Sequence, residues 1–163
     1  MAAVAESHGV EDLVVHRLRA QGLAIPAEIE AEIARRSFQW RVRSARMRTA
    51  LVEIERALEG ASMRVVPLKG PILAERIYPP GVARPSTDLD LLLDEEALDG
   101  ALEVLGRLGY TPSDPDARAA YNRKHHYHLG VSSGDEGFAV ELHFRAHHTA
   151  GSSLEARPLL DRA

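Results

Sequence analysis

The sequence predicts an α+β fold in which an N-terminal helical segment precedes a core of strands and helices. Two observations favour this class. Between residues 26 and 60, apolar residues recur at three, four or seven positions, which is the spacing of one helical face. Short apolar or β-branched runs at 63–68, 88–93, 125–133 and 137–144 are bounded by turn residues or helical patterns, which indicates strands.

Bulk composition limits the classes of protein that the chain can belong to. Its 163 residues suffice for one domain with a buried core. The 20 basic and 24 acidic residues give a net charge of −4, which does not require a nucleic-acid partner. The absence of cysteine excludes disulfides, thiolate zinc sites and a cysteine nucleophile. No apolar run approaches the roughly 20 residues needed to span a bilayer, so we expect a cytoplasmic protein without a membrane partner.

The N-terminal helical segment is predicted to cover residues 1–60. A short amphipathic helix over 10–22 ends at Gly22, and Pro26 opens a much longer helix that Gly60 ends. The apolar stripe of the long helix consists of Ile29, Ile33, Trp40, Met47, Leu51, Ile54 and Leu58.

The core is predicted to cover residues 61–148, followed by a C-terminal tail at 149–163. Gly70, with Pro71 after it, separates the first strand from a helix, and Gly109 ends the last helix of the core. The predicted elements are a strand at 63–68, a helix at 71–78, a strand at 88–93, a helix at 94–110, and hairpin strands at 125–133 and 137–144.

Two aspartates stand at the opening of the second apolar strand. Asp88 and Asp90 project to one face, about 6.6 Å apart along the strand, and the alternating leucines face the other way. Glu141 occupies the polar face of the last hairpin strand, so it joins the aspartates if the two strands are neighbours. Three converging carboxylates repel one another unless a divalent cation lies between them, and oxygen-only ligands favour Mg²⁺ or Mn²⁺. The alternative is an ordinary strand end with solvated acids.

The order of these motifs resembles a known superfamily. The residues concerned are Leu68-Lys69-Gly70, Arg84, Asp88–Leu93, Leu105–Tyr110 and Glu141–Phe144. They resemble the nucleotidyltransferase superfamily with the DNA polymerase β-like fold. More narrowly, they resemble a poorly characterised bacterial nucleotidyltransferase family that carries "LKG", an Arg-containing "DLDLLV" segment and "ELHW". The likeness covers about half of the chain, from residue 63 to residue 145.

The resemblance implies both a fold and an activity. The fold is a mixed sheet flanked by helices. The activity is transfer of a nucleoside monophosphate from an NTP to a hydroxyl group of a small molecule, an RNA or a protein, with Mg²⁺ or Mn²⁺ as cofactor. Asp88 and Asp90 would hold the metal ions and Glu141 would be the third carboxylate. The expected nucleotide-binding residues are Lys69, Gly70, Arg84 and His143.

Several of these residues have simpler interpretations. Lys69 is alternatively a solvated turn residue, Arg84 the partner of an aspartate, and His143 an ordinary strand-face residue. Pro71 lacks the N–H that would serve a phosphate at this helix start. Relatives usually continue further after the "ELHW" position, so we expect acceptor recognition to be absent, borrowed or supplied by the N-terminal helices.

The uneven distribution of arginine and of histidine along the sequence favours two alternative functions. Six arginines without an acid lie between Arg35 and Arg48, which is typical of a solvated helix face or of an RNA-facing surface. The histidines near the hairpin could instead form a zinc or iron site; they are His125, His126, His128, His143, His147 and His148. A third alternative is a non-catalytic nucleotide-binding or regulatory module that keeps the fold.

Overall fold

The computed structural model describes residues 2–113, 127–134, 137–149 and 152–162. Within these ranges, no helix is long and apolar enough to cross a membrane. The helices are α1 (Ala2–Ser7), α2 (Glu11–Ala20), α3 (Ala27–Gly60), α4 (Pro71–Ile77), α5 (Leu98–Arg107) and α6 (Arg157–Leu160), with a 3-10 turn at Glu95–Ala97. The strands are β1 (Val66–Pro67), β2 (Asp88–Leu92), β3 (Thr111–Pro112), β4 (His128–Ser132), β5 (Ala139–His143), β6 (Arg145–Thr149) and β7 (Ser152–Glu155).

The chain forms two compact units. Unit 1 consists of Met1–Arg48 and Pro71–Ser86, and unit 2 consists of Thr49–Gly70 and Thr87–Ala163. The α+β class predicted from the sequence is confirmed, because helices and a five-stranded mixed sheet are both present.

The long helix predicted after Pro26 is confirmed as α3. Its apolar stripe is buried at Ile33 in unit 1 and at Leu51, Ile54 and Leu58 in unit 2, as the spacing predicts. Met47 is also buried, whereas Trp40 is partly buried and Ile29 has 39% of its surface exposed. Ile29 lies in the first turns of the helix, where it lines a small apolar pocket with residues of α1 and α2.

The main sheet belongs to unit 2 and has the order β1-β2-β5-β4-β3. The pair β2 and β5 is parallel, and every other pair is antiparallel. The predicted hairpin is therefore present as β4 and β5, and the two strands that carry the acidic residues are neighbours. One face of the three central strands is apolar and buried; it consists of Leu89, Leu91, Leu129, Val131, Val140 and Leu142.

The first strand is shorter than predicted. The sequence favours a strand over 63–68, whereas β1 contains only Val66 and Pro67. Pro67 cannot donate a hydrogen bond to a ladder, and β1 accordingly lies at the edge of the sheet, where one side of a strand needs no partner. The ladder continues for one bond beyond β1, because the Leu68 amide donates to the Asp90 carbonyl at 2.9 Å.

The helix after β2 begins later than predicted but ends where expected. A 3-10 turn occupies Glu95–Ala97, and Asp94 makes no side-chain capping bond to it. Gly109 adopts a φ of 89°, which a side chain would disfavour, and the following Tyr110 amide donates to the Leu105 carbonyl at 3.0 Å.

The C-terminal residues contribute to unit 2. Strands β6 and β7 form a two-stranded sheet, and α6 follows them. Ala156 and Leu160 are buried against Leu92 of the central sheet. The Arg64 guanidinium lies 3.0 Å from the Asp161 carboxylate, which ties α6 to the chain that precedes β1.

Glu55 on α3 provides a test of stability. Burial, and then the charge of Glu59 one turn later, raise the pKa of Glu55 above its ordinary value of 4.5. A raised carboxyl pKa means that folding is favoured below the ordinary value and opposed as the pH rises through the folded pKa. We therefore expect Glu55→Gln to raise the free energy of unfolding at pH 7 by about 0.3 kcal/mol, with little gain at pH 4. Chemical denaturation at both pH values checks this, and the exposed Glu53→Gln variant is the control.

Candidate active site

The polar face of the central sheet brings together three carboxylates from two strands. In the parallel register of β2 and β5, Asp90 lies directly opposite Glu141, and Asp88 lies two residues before Asp90 on the same face. One oxygen from each of the three side chains lies within 4.8 Å of the others. We call Asp88, Asp90 and Glu141 the carboxylate cluster. The sequence-based expectation that Glu141 approaches the aspartates therefore agrees with the strand order.

Asp90 is the most buried member of the carboxylate cluster, with 2% of its side chain exposed. Its Oδ1 accepts hydrogen bonds from Lys69 Nζ at 3.0 Å and from His143 Nε2 at 2.9 Å. Burial opposes ionisation of Asp90, but the two hydrogen bonds and the charge of Lys69 outweigh it, so the pKa of Asp90 lies below its ordinary value of 3.8. Asp90 is therefore a buried carboxylate that stays charged.

Lys69 supplies the ammonium group of the site. It follows Leu68, whose backbone bond to Asp90 places the lysine beside β2. Burial opposes the charge of Lys69, but the hydrogen bond to Asp90 and the charges of the three carboxylates prevail and raise the pKa of Lys69. Its side chain is 55% exposed, so the ammonium can also reach solvent or a ligand. Gly70, next along the chain, is buried and has a φ of 72°, a conformation that favours glycine.

Two histidines flank Glu141 on the same face. His128 of β4 and His143 of β5 are directly opposite each other, with ring centroids 5.2 Å apart. The Glu141 Oε2 atom lies 3.4 Å from His143 Nε2 and 3.8 Å from His128 Nε2. The ring of Tyr127 contacts both imidazoles. Its centroid lies 4.6 Å from the ring centroid of His128 and 5.5 Å from that of His143.

Tyr127 was not predicted from the sequence, and the contact of His128 with Glu141 was not predicted either. The alternation of polar and apolar residues in β4 could have placed His128 on the polar face of the strand. Only the register of the hairpin shows which residue of β5 lies opposite it. His125 and His126 lie outside the described residues. His147 and His148 belong to β6, and their side chains are not described.

Arg84 belongs to unit 1. It lines a cavity of about 410 Å³ whose other lining residues include Arg41, Arg48, Glu75 and Tyr78. Arg84 and the carboxylate cluster belong to different units, so the role of Arg84 in nucleotide binding stays a prediction from the sequence.

The arginine-rich part of α3 is largely occupied by contacts within unit 1. Arg35 forms an ion pair with Glu32 at 2.8 Å, and Arg36 and Arg48 form ion pairs with Glu6 and Glu75. The Arg43 guanidinium lies 5.8 Å from the Trp40 ring centroid, over the ring. These contacts agree with a solvated helix face, which was one of the two interpretations of the sequence.

A sequence model of the family described as uncharacterised nucleotidyltransferases matches residues 1–163. The chain belongs to this family. No curated protein and no solved structure matches the chain significantly. Membership of the nucleotidyltransferase family supports a nucleotidyltransferase-type function and a nucleotide substrate.

The donor set of the carboxylate cluster suits the divalent metals that nucleotidyltransferases use. It contains only oxygen ligands, and one of them, on Asp90, is kept ionised although it is buried. Such a group is stable only beside positive charge. Lys69 supplies that charge in this structure, and a divalent cation would supply more of it.

Proposed function

We propose that this protein is a metal-dependent enzyme that transfers a nucleoside monophosphate from an NTP to a hydroxyl acceptor. The observation that carries the proposal is the convergence of Asp88, Asp90 and Glu141 on adjacent strands of a chain from the nucleotidyltransferase family. The acceptor is a small molecule, an RNA or a protein.

The carboxylate cluster would hold Mg²⁺ or Mn²⁺. When bound, the metal would stabilise the charge that develops on the attacking and leaving oxygens of an in-line displacement. Asp90, held ionised by Lys69 and His143, would be its principal ligand. Asp88, which is half-buried and lies on the same face, would be the second ligand.

The chain's own residues would then position both reactants. Lys69 would turn from Asp90 to the triphosphate, since its side chain is largely exposed and an ammonium is an effective point charge for phosphate. Gly70 would let the backbone approach the phosphates. His143 would add a further contact.

Glu141 would orient the acceptor hydroxyl and take its proton. Its side chain is 27% exposed, so an acceptor can reach it from solvent. The acceptor oxygen would form a bond to the α-phosphorus as the bond from that phosphorus to the bridging oxygen of the β-phosphate breaks. Pyrophosphate would leave, and the proton would reside on Glu141.

The test is a thermal-shift titration with ATP, GTP, CTP and UTP, each with and without Mg²⁺ or Mn²⁺. A nucleotide at a hundred times its Kd should stabilise the protein by about 2.7 kcal/mol. We expect a metal-dependent shift that Asp88→Asn weakens at least tenfold in apparent affinity, followed by label transfer from the matching α-labelled NTP. No shift with any of the nucleotides would refute the proposal.

The same experiments distinguish the proposed transfer from the two alternative functions. A nucleotide shift without label transfer to any acceptor in a cell extract would indicate a non-catalytic nucleotide-binding module. Salt-sensitive RNA binding that weakens in the Arg41, Arg43 and Arg46 variants would indicate an RNA-binding protein instead.

A further inference from the structure

A second set of potential metal ligands overlaps the carboxylate cluster and contains nitrogen. One ligand atom from each of His128, Glu141 and His143 lies within 4.8 Å of the others. We call these three residues the histidine subsite. Glu141 belongs to both sets, so its carboxylate stands between the aspartates of β2 on one side and the two imidazoles on the other.

The sheet register builds the histidine subsite. His128 and His143 are a direct cross-strand pair, and Glu141 is the diagonal neighbour of His128. Directly opposite Glu141 on β4 stands Gly130, so Glu141 has no side-chain partner in its own cross-strand pair. The long glutamate side chain can therefore lean toward the imidazoles, and its Oε2 lies 3.4 and 3.8 Å from their Nε2 atoms.

The two distances from Glu141 are close to those between ligands of one metal ion. Nitrogen and oxygen ligands at about 2.0–2.1 Å from a tetrahedral Zn²⁺ are about 3.3–3.5 Å from each other. The 3.4 Å contact is within that range, and the 3.8 Å contact needs only a small closure. Two imidazoles and a carboxylate also form a donor set that binds zinc and other transition metals in preference to Mg²⁺.

The hydrogen bonding of His143 also favours a cation at its Nε2 atom. Its Nε2 faces two carboxylates, Asp90 at 2.9 Å and Glu141 at 3.4 Å, although a neutral imidazole nitrogen has only one proton to donate. Among the described residues, its buried Nδ1 has no hydrogen-bond partner. The polar interactions of this ring are therefore directed through Nε2 toward the carboxylates, and a metal ion bound at Nε2 would take the place of the proton that Nε2 donates to Asp90.

We propose that His128, Glu141 and His143 form a transition-metal site, with Zn²⁺ as the best-fitting ion, joined through Glu141 to the oxygen-only site of Asp88 and Asp90. The centre would then hold two chemically different metals bridged by one carboxylate. This inference deepens the proposed function and rests on it for the identity of the oxygen-only site. The metal titrations below distinguish failure of one from failure of the other.

The test measures the Zn²⁺ affinity of the metal-free 163-residue chain by competition with a chromophoric chelator, and the visible absorption of the Co²⁺ form. We expect one site that His128→Asn weakens at least tenfold, with loss of the Co²⁺ absorption of a nitrogen-containing site. Asp88→Asn should leave Zn²⁺ affinity within about twofold while it weakens the Mg²⁺-dependent nucleotide shift. His8→Gln, an exposed histidine of unit 1, is the control and should change neither.

His128 is the informative position because it is partly exposed and can be replaced without disturbing the buried Asp90 contact. His143→Asn is a supporting variant only if it folds. Zn²⁺ affinity that stays within twofold of wild type in His128→Asn, or no Zn²⁺ binding by wild type, would overturn the inference even if nucleotide transfer is found. The expected Zn²⁺ pattern without any nucleotide shift would instead uphold the histidine subsite and refute the proposed transfer.

Discussion

Replacing Asp90 by asparagine is expected to lower nucleotidyl transfer by at least 10³-fold, equivalent to about 4 kcal/mol of transition-state stabilisation. Asp90 is the buried carboxylate at the centre of the carboxylate cluster, and asparagine keeps its size and one acceptor oxygen while it removes the charge. Lys69 and His143 would keep a hydrogen-bond acceptor, but the Lys69 ammonium would lose the anion that it faces. Steady-state assays with the NTP identified by thermal shift would measure the loss.

The same variant should fold with a modest loss of stability. Because the pKa of Asp90 is lowered in the folded state, its ionised form stabilises the protein above the ordinary value of 3.8, and this contribution is lost as the pH falls through the folded pKa. At pH 7 we expect Asp90→Asn to lower the free energy of unfolding by about 1 kcal/mol. The difference from wild type should shrink as the pH is lowered toward 2. Glu103→Gln, which changes an exposed carboxylate of the same unit, is the control, and transfer by Asp90→Asn at the wild-type rate would contradict the mechanism.

Local patterns in the sequence sufficed to orient the acidic strand. Alternation in β2 puts Asp88 and Asp90 on one face and the buried Leu89 and Leu91 on the other, because the side-chain period of a strand is two. The hairpin of β4 and β5 was also predictable, since its strands are close in sequence and a glycine-containing turn joins them.

The pairing of β2 with β5 was beyond local analysis. These strands are separated by about fifty residues, and no local pattern states that Asp90 should lie opposite Glu141. The resemblance to nucleotidyltransferases supplied that expectation. The contact of His128 with Glu141 depends on one specific register, which a slip of a single residue would destroy.

The C-terminal elements lacked a usable signal as well. Strand β7 and helix α6 each contain four residues, too few to display a helical or alternating period. Leu160 is buried because it packs on Leu92, a tertiary contact that the short apolar pair at its own position does not predict.

Glu141→Gln is expected to weaken both metal sites at once. The amide keeps the shape of the side chain, but it is a much poorer ligand than a carboxylate and cannot accept the proton of an acceptor hydroxyl. We expect nucleotidyl transfer to fall at least 10²-fold, about 2.7 kcal/mol, and Zn²⁺ affinity to fall at least tenfold. Asp88→Asn should lose the first property alone, and His128→Asn should lose the second with a smaller effect on transfer.

The pattern across these three variants distinguishes a shared ligand from a simple loss of negative charge. Glu95→Gln removes one exposed carboxylate from the same unit, where Glu95 lies 3.4 Å from Arg145, and it should change neither property. If Glu141→Gln abolishes transfer but leaves Zn²⁺ affinity unchanged, Glu141 serves the aspartates alone and the two sites are not bridged. If it abolishes Zn²⁺ binding but transfer continues at the wild-type rate, Glu141 is not the third carboxylate of the transferase. Only loss of both properties fits a carboxylate shared by β2 and the two histidines.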